Sequence, residues 1–103
     1  MHVIVWEFRA RPGREEEFAR VYGPTGEWAR LFARGDGFVA TKLLHDVADR
    51  GRFVTIDRWT SPAAFSAFLD RWTDDYRALD RRCEALTDRE TALGTFSLPP
   101  PTP

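Results

Sequence analysis

The chain has 103 residues, enough for one domain with a single modest core. Its 15 basic side chains nearly balance 16 acidic ones, so a net charge of −1 offers no general attraction to nucleic acid or an anionic membrane. A lone cysteine, Cys83, excludes an internal disulfide and fits a reducing compartment, so a cytoplasmic location is expected; the opening Met1–Phe8 lacks the basic lead and long apolar run of a signal peptide, and no segment reaches membrane-spanning length.

His2 to Arg9 alternates and is rich in Val, Ile, Trp and Phe, which predicts a first strand. Pro12-Gly13 breaks it. Glu15, Glu16 and Glu17 then occupy a first helical turn, where negative charge suits the dipole, and Phe18, Val21 and Tyr22 form the apolar stripe. Gly23-Pro24-Thr25-Gly26 interrupts the helix. A second piece carries Trp28, Leu31 and Phe32, with Gly35 placed as its C-terminal cap. Asp36-Gly37 is a turn, Phe38 to Val47 a second strand, and 48–51 a polar loop.

The stretch from Arg52 to Leu86 is the most informative. Phe53, Thr55, Asp57 and Trp59 alternate with Val54, Ile56 and Arg58 in a third strand. Thr60-Ser61-Pro62 supplies a hydroxyl N-cap and a proline at the first helical position. Phe65, Phe68, Leu69, Trp72, Tyr76, Leu79, Cys83 and Leu86 then recur at steps of three and four, predicting a helix over 62–86 with a kink near Thr73-Asp74. Thr91 to Phe96 is a last strand. Leu98 to Pro103 is a proline-rich tail with a minimal P-x-x-P spacing, Pro100 to Pro103, whose default state is disorder. The domain is therefore expected to span 1–97 and the tail 98–103.

The order β-α-β-β-α-β with right-handed crossovers predicts a ferredoxin-like α+β fold: a four-stranded antiparallel sheet with the helices on one face. Neither sheet face is clean. Val3, Val5, Val39, Leu43, Val54 and Ile56 fall on one set of alternating positions; Ile4, Trp6, Phe8, Phe38, Ala40, Leu44, Phe53 and Trp59 fall on the other. Helices can shelter one side only, and an apolar second side marks an interface or ligand site. A homodimer with its two sheets face to face is expected; the competing reading is a monomer whose tail or loops cover that side.

Four tryptophans and two tyrosines are many for this length, and aromatic walls suit a flat organic ligand. Trp6, Tyr22, Trp28, Trp72 and Tyr76 are the candidate pocket residues, against the alternative that they fill the core; Trp59, where the helix must pack, is assigned to the core. Asp57 and Arg58 point to opposite sides of the third strand, so one of them faces inward or the dimer seam, where a charge is costly unless paired. Arg58 is a catalytic candidate able to orient an anionic substrate, with an ion pair to Glu7 as the competing assignment. His45 is the other catalytic candidate, able to remove a phenolic proton at a pocket rim, with an ordinary surface histidine as the alternative. Cys83 belongs to the apolar helix face. His2, His45 and Cys83 match no metal-ligand spacing, and no flavin- or nucleotide-binding glycine pattern is present, so no cofactor is expected.

Val3-Ile-Val-Trp-Glu-Phe, the Pro-Gly turn before Glu15-Glu-Glu-Phe, Gly37-Phe-Val-Ala-Thr-Lys-Leu-Leu and above all Asp57-Arg-Trp-Thr-Ser-Pro-Ala-Ala-Phe-Ser-Ala-Phe resemble the antibiotic-biosynthesis-monooxygenase (ABM) family of dimeric α+β barrels. The resemblance runs from His2 to about Phe96. It implies a dimer with a pocket between sheet and helices, and a family that includes metal- and flavin-free oxygenases of quinol- or anthrone-like aromatics as well as haem-degrading enzymes. Two departures matter. Well-characterised branches use a pocket asparagine, and this chain contains neither asparagine nor glutamine, an absence shared by thermophilic and GC-rich origins. The haem-degrading branch needs a histidine on the long second helix, where this chain has Arg77, Asp80 and Arg81, so haem degradation is rejected. A cofactor-independent monooxygenase of a small aromatic substrate is the leading expectation. A non-catalytic dimeric barrel binding a small hydrophobic metabolite is the alternative. An RNA-recognition module is disfavoured because Arg50-Gly51-Arg52-Phe53 lacks the aromatic expected after the glycine.

Overall fold

The computed structural model describes residues 1–99. The elements are β1 (His2–Ala10), α1 (Glu15–Tyr22), α2 (Glu27–Phe32), β2 (Phe38–His45), β3 (Arg52–Trp59), α3 (Pro62–Cys83) and β4 (Thr87–Ser97), with one 3-10 turn at Glu84–Leu86. The strands form one antiparallel sheet in the order β2-β3-β1-β4, and side chains from all three helices pack on one of its faces, the ferredoxin-like α+β arrangement. No helix among the described residues is long and apolar enough to cross a membrane.

The inner, helix-covered face follows strand alternation. Phe53, Thr55, Asp57 and Trp59 of β3 are buried along the whole strand, beside Ile4, Trp6, Phe8 and Ala10 of β1. Helices contribute Phe18 and Tyr22, then Trp28, Leu31 and Phe32, then Phe68, Leu79 and Cys83. Trp59 is 0% exposed and meets Phe32, Phe38, Phe65 and Phe68 at ring-centroid distances of 5.2–5.7 Å. Its indole N–H has no hydrogen-bond partner. An unmade bond costs about 1–3 kcal/mol, whereas burying some 200 Å² of ring contributes roughly 5 kcal/mol. The burial wins. Just beyond Trp59 the chain turns into α3: Ser61 accepts from the Ala64 N–H at 3.1 Å and Pro62 opens the helix.

Several boundaries differ from the sequence expectation. β2 ends at His45 rather than Val47 because the Asp46 carboxylate accepts from the Ala48 and Asp49 N–H groups, turning the chain. A bulge between Phe38 and Ala40 moves Phe38 onto the face of Thr41 and Leu43, away from Ala40 and Leu44. β4 begins at Thr87, four residues before Thr91. It is an edge strand in water, so Asp88, Arg89 and Glu90 do not oppose it. Its own bulge leaves Leu93 unpaired between Ala92 and Gly94. The break in α3 falls at Trp72 (φ −113°, ψ 23°), and the α-helix stops at Cys83. Gly35 is not a left-handed cap. A Cβ there would lie 3.0–3.1 Å from Phe68 and 3.3 Å from Trp59, so the glycine provides room for those rings. After Ser97, the Leu98 N–H still donates to the Met1 carbonyl. Pro100 to Pro103 lie outside the described residues.

The outer face carries Val3, Val5, Val54 and Ile56 at its centre, with Leu44 (49% exposed) and Phe96 (54%) towards the edges. Lys42, paired opposite Ile56, projects there too. Arg52 bridges Glu7 at 2.7 Å and Asp46 at 3.1 Å. The expected pairing of Glu7 with Arg58 does not form, because the register sets Arg58 opposite Val3, at the far end of β1 from Glu7.

Gly13 and Gly37 both hold positive φ, +86° and +92°, but a Cβ on Gly13 meets open space while one on Gly37 would lie 2.5 Å from Thr60 Oγ1 and 2.7 Å from Ala64 Cβ. We expect Gly13→Ala to lower stability by about 1–2 kcal/mol, the left-handed penalty alone. Gly37→Ala should cost clearly more, because the α3 entry must also shift. Urea unfolding of the two variants side by side measures the difference.

Candidate functional site

Away from Trp59 the inner layer is less tightly filled, and a cleft of about 130 Å³ remains between sheet and helices. An engineered cavity of comparable size holds a benzene ring. Trp6 and Phe8 of β1, Tyr22 of α1, Trp28 and Phe32 of α2 and Tyr76 of α3 form its walls. Tyr22 stacks on Phe18 with ring centroids 4.1 Å apart, and Trp28 meets Tyr76 edge-on at 5.0 Å. Thr41, Thr55 and Asp57 supply the polar floor from adjacent strands. Asp80 of α3 and Glu90 of β4, both exposed, mark the mouth.

Asp57 is 8% exposed. Thr41 Oγ1 donates to its Oδ1 at 2.7 Å, and its Oδ2 has no hydrogen-bond partner among the described residues. Burial raises its pKa to about 6 even though the Thr41 bond pulls the other way. Burial also pushes Tyr76 up to about 12, with Asp80, Glu90 and Asp57 adding to the effect, and pushes Tyr22 well above the ordinary phenol value. Both phenols therefore remain protonated donors near neutrality. The Cys83 thiol, beside Tyr22 and Trp28, is likewise raised by burial, which disfavours a reactive thiolate. Among the described residues, no group of three or more His, Cys, Asp and Glu could hold a metal ion.

Of the rings singled out in the sequence, Trp6, Tyr22, Trp28 and Tyr76 line the cleft. Trp72 does not. The helical break separates it from the face of Tyr76, and its ring lies near the guanidinium groups of Arg34 and Arg71, 5.2 and 5.3 Å away. His45 lies outside the cleft at the end of β2, stacked on Phe53 at 4.1 Å with Nε2 2.8 Å from the Arg50 carbonyl oxygen. Arg58 projects from the outer face, its Nε buried and without a partner. Sequence reasoning left open which of Asp57 and Arg58 faces inward, and it passed over Thr41, Thr55, Asp80 and Glu90. The usable signal was the assignment of Trp59 to the core, since Asp57 and Thr55 share its alternation.

Because the folded pKa of Asp57 lies above its unfolded value of about 4, folding favours the protonated form. Stability from this group is complete below pH 4 and declines as pH rises through about 6. Above that, the buried carboxylate is a destabilising element on the order of 2–3 kcal/mol. We expect Asp57→Asn, which keeps an oxygen for Thr41, to raise unfolding free energy at pH 8 by an amount of that order. The gain should vanish at pH 4. Urea titrations at the two pH values check it.

The family model for antibiotic biosynthesis monooxygenase matches residues 1–81. Two crystal structures of SnoaB, a cofactor-independent oxygenase from Streptomyces nogalater, one of them a mutant, are similar at TM-scores of 0.74 and 0.69. Each is 26% identical, with 99% of this chain covering 96% of that one. The structure of PA3566 from Pseudomonas aeruginosa is similar at a TM-score of 0.64 and 21% identity, over 98% of this chain and 94% of that one, a likeness of fold. No curated protein matches the chain. The family model spans 81 of the 103 residues, and the chain belongs to the antibiotic biosynthesis monooxygenase family.

Proposed function

We propose that the protein is a cofactor-independent monooxygenase of a small electron-rich aromatic molecule, quinol- or anthrone-like, with Asp57 as its base. The observation that carries this reading is a buried carboxylate, ionised above about pH 6, with one oxygen free at the floor of an aromatic cleft. His45 and Arg58 are set aside as catalytic groups because neither lines that cleft.

A flat ring inserts between the aromatic walls and presents a phenolic O–H or an activated CH₂ to Asp57. Asp57 takes the proton and becomes a neutral acid that hydrogen-bonds the new anion. The transfer leaves the charge inside the cleft unchanged, so little solvation is lost in making the anion. Surrounding rings keep water away, which favours passing an electron to dioxygen over re-protonation from solvent. For an activated CH₂, the radical pair combines to a hydroperoxide that loses water: R₂CH₂ and O₂ give R₂C=O and H₂O. Dioxygen is the oxidant and the substrate the only reductant. The cleft encloses about one ring, so a fused-ring substrate keeps its remaining rings at the mouth.

Oxygen uptake with quinols and anthrones tests the reading. We expect kcat to rise with pH through about 6 and then level, since Tyr22 and Tyr76 stay protonated. Asp57→Asn should lower kcat by about 100-fold or more. Ligand-induced thermal shifts with no oxygen uptake for any such compound would instead favour a binding protein.

We further propose that the working form is a homodimer with two outer sheet faces pressed together. Val3, Val5, Val54, Ile56, Leu44 and Phe96 support it as a broad apolar surface that no helix of the same chain covers. Sedimentation should give twice the chain mass for the wild type and a single chain mass for Ile56→Asp with helical content retained. A monomeric wild type at micromolar concentration would overturn the dimer.

A further inference from the structure

The cleft carries charge of one sign. Its ionisable carboxylates are Asp57 at the floor and Asp80 and Glu90 at the mouth, and no arginine, lysine or histidine lines it among the described residues. The chain has 15 arginines and lysines, so the exclusion is not a shortage of cations. Charges that act on the inner groups agree. Tyr76 is influenced by Asp80, Glu90 and Asp57, and Glu90 by Asp80 and Glu84. Beyond the mouth, Glu84 and Asp88 extend the acidic rim, with Arg89 among them and Arg11 reaching Asp88 at 3.6 Å.

Two polar ends are therefore set apart by an aromatic middle. Asp57 is more than nine-tenths buried and keeps one carboxylate oxygen without a partner, an acceptor that a ligand hydroxyl can satisfy. Asp80 and Glu90 converge from α3 and β4 on the opening, where two carboxylates close enough to influence one another gain most from a cation between them. Trp6, Trp28, Tyr22 and Tyr76 line the cleft between the two ends, and the face of an aromatic ring attracts positive charge.

We propose that the cleft selects phenols bearing a protonated amine, with the hydroxyl on Asp57 and the ammonium group between Asp80 and Glu90, and discriminates against anionic aromatics. This rests on reading the cleft as the substrate site and names the substrate class within it. It differs from the anionic substrate that Arg58, as one of its two candidate roles in the sequence, would orient.

Three phenols with short para side chains of different charge test the selectivity: tyramine, para-propylphenol and para-hydroxyphenylpropionate. Quenching of Trp6 and Trp28 fluorescence gives their affinities at neutral pH. Tyramine should bind about tenfold more tightly than the neutral phenol, with the propionate weakest, as expected for two partly exposed charge pairs. Raising salt from 20 to 500 mM should compress that gap, in proportions of roughly this size. Asp80→Asn with Glu90→Gln should compress it too; both side chains are exposed, and a thermal melt verifies folding. Equal or reversed affinities, a gap indifferent to salt and to the double variant, or no binding by any probe would overturn the selectivity. Oxygen uptake with quinols and anthrones remains the separate measure of oxygenation: the expected affinity order with no uptake from any of them supports the selectivity and removes the reaction, while such uptake with a flat charge ranking does the reverse.

Discussion

The architecture depends on the seal around Trp59. One indole at the end of β3 touches α2, β2 and both sides of the first turns of α3 through Phe32, Phe38, Phe65 and Phe68. Its burial outweighs an unpartnered N–H, and it obliges nearby backbone to come close. Gly35 leaves the rings their space, and Gly37 lets Thr60 and Ala64 approach at the β3–α3 join. With that end closed, the helix layer is anchored over the sheet. The opposite end can then hold side chains that do not fill their volume without loosening the whole domain.

That division explains why a carboxylate is tolerated in the interior. At the sealed end the rings packed on Trp59 are all phenylalanines, and an acid among them would have nothing to bond. Two residues earlier, Asp57 meets Thr41 directly across the β2–β3 ladder, and the cleft keeps one oxygen accessible. The energetic strain is visible in its raised pKa. A residue that destabilises the folded state above pH 6 and is nonetheless held by a specific hydrogen bond fits a functional site better than a structural one.

Element order was legible in the sequence because the alternation in β1 and β3, the Ser-Pro helix start and the three-four spacing in α3 all agree. The apolar second face of the sheet was visible for the same reason, as alternation that leaves both faces greasy. What was hidden lay in single-residue irregularities. A bulge at Phe38 reverses which β2 side chains face inward, and no residue type in that stretch announces it. The dihedral break at Trp72 parts two rings whose spacing places them on one helical face. Asp57 and Arg58 are adjacent polar residues on a strand with two apolar faces, so only the closed sheet register decides which one enters the cleft. Asp80 and Glu90 come from different elements and meet only after β4 pairs with β1.

The scarcity of lysine has a practical consequence once the sheet is oriented. Lys42 is the sole side-chain amine in the protein and it projects from the outer surface, opposite Ile56. Acylating reagents and amine-reactive dyes therefore install a single side-chain handle, on the far side of the sheet from the aromatic cleft. Such a tag sits where two outer faces would meet, so its reactivity reports on whether that surface is open.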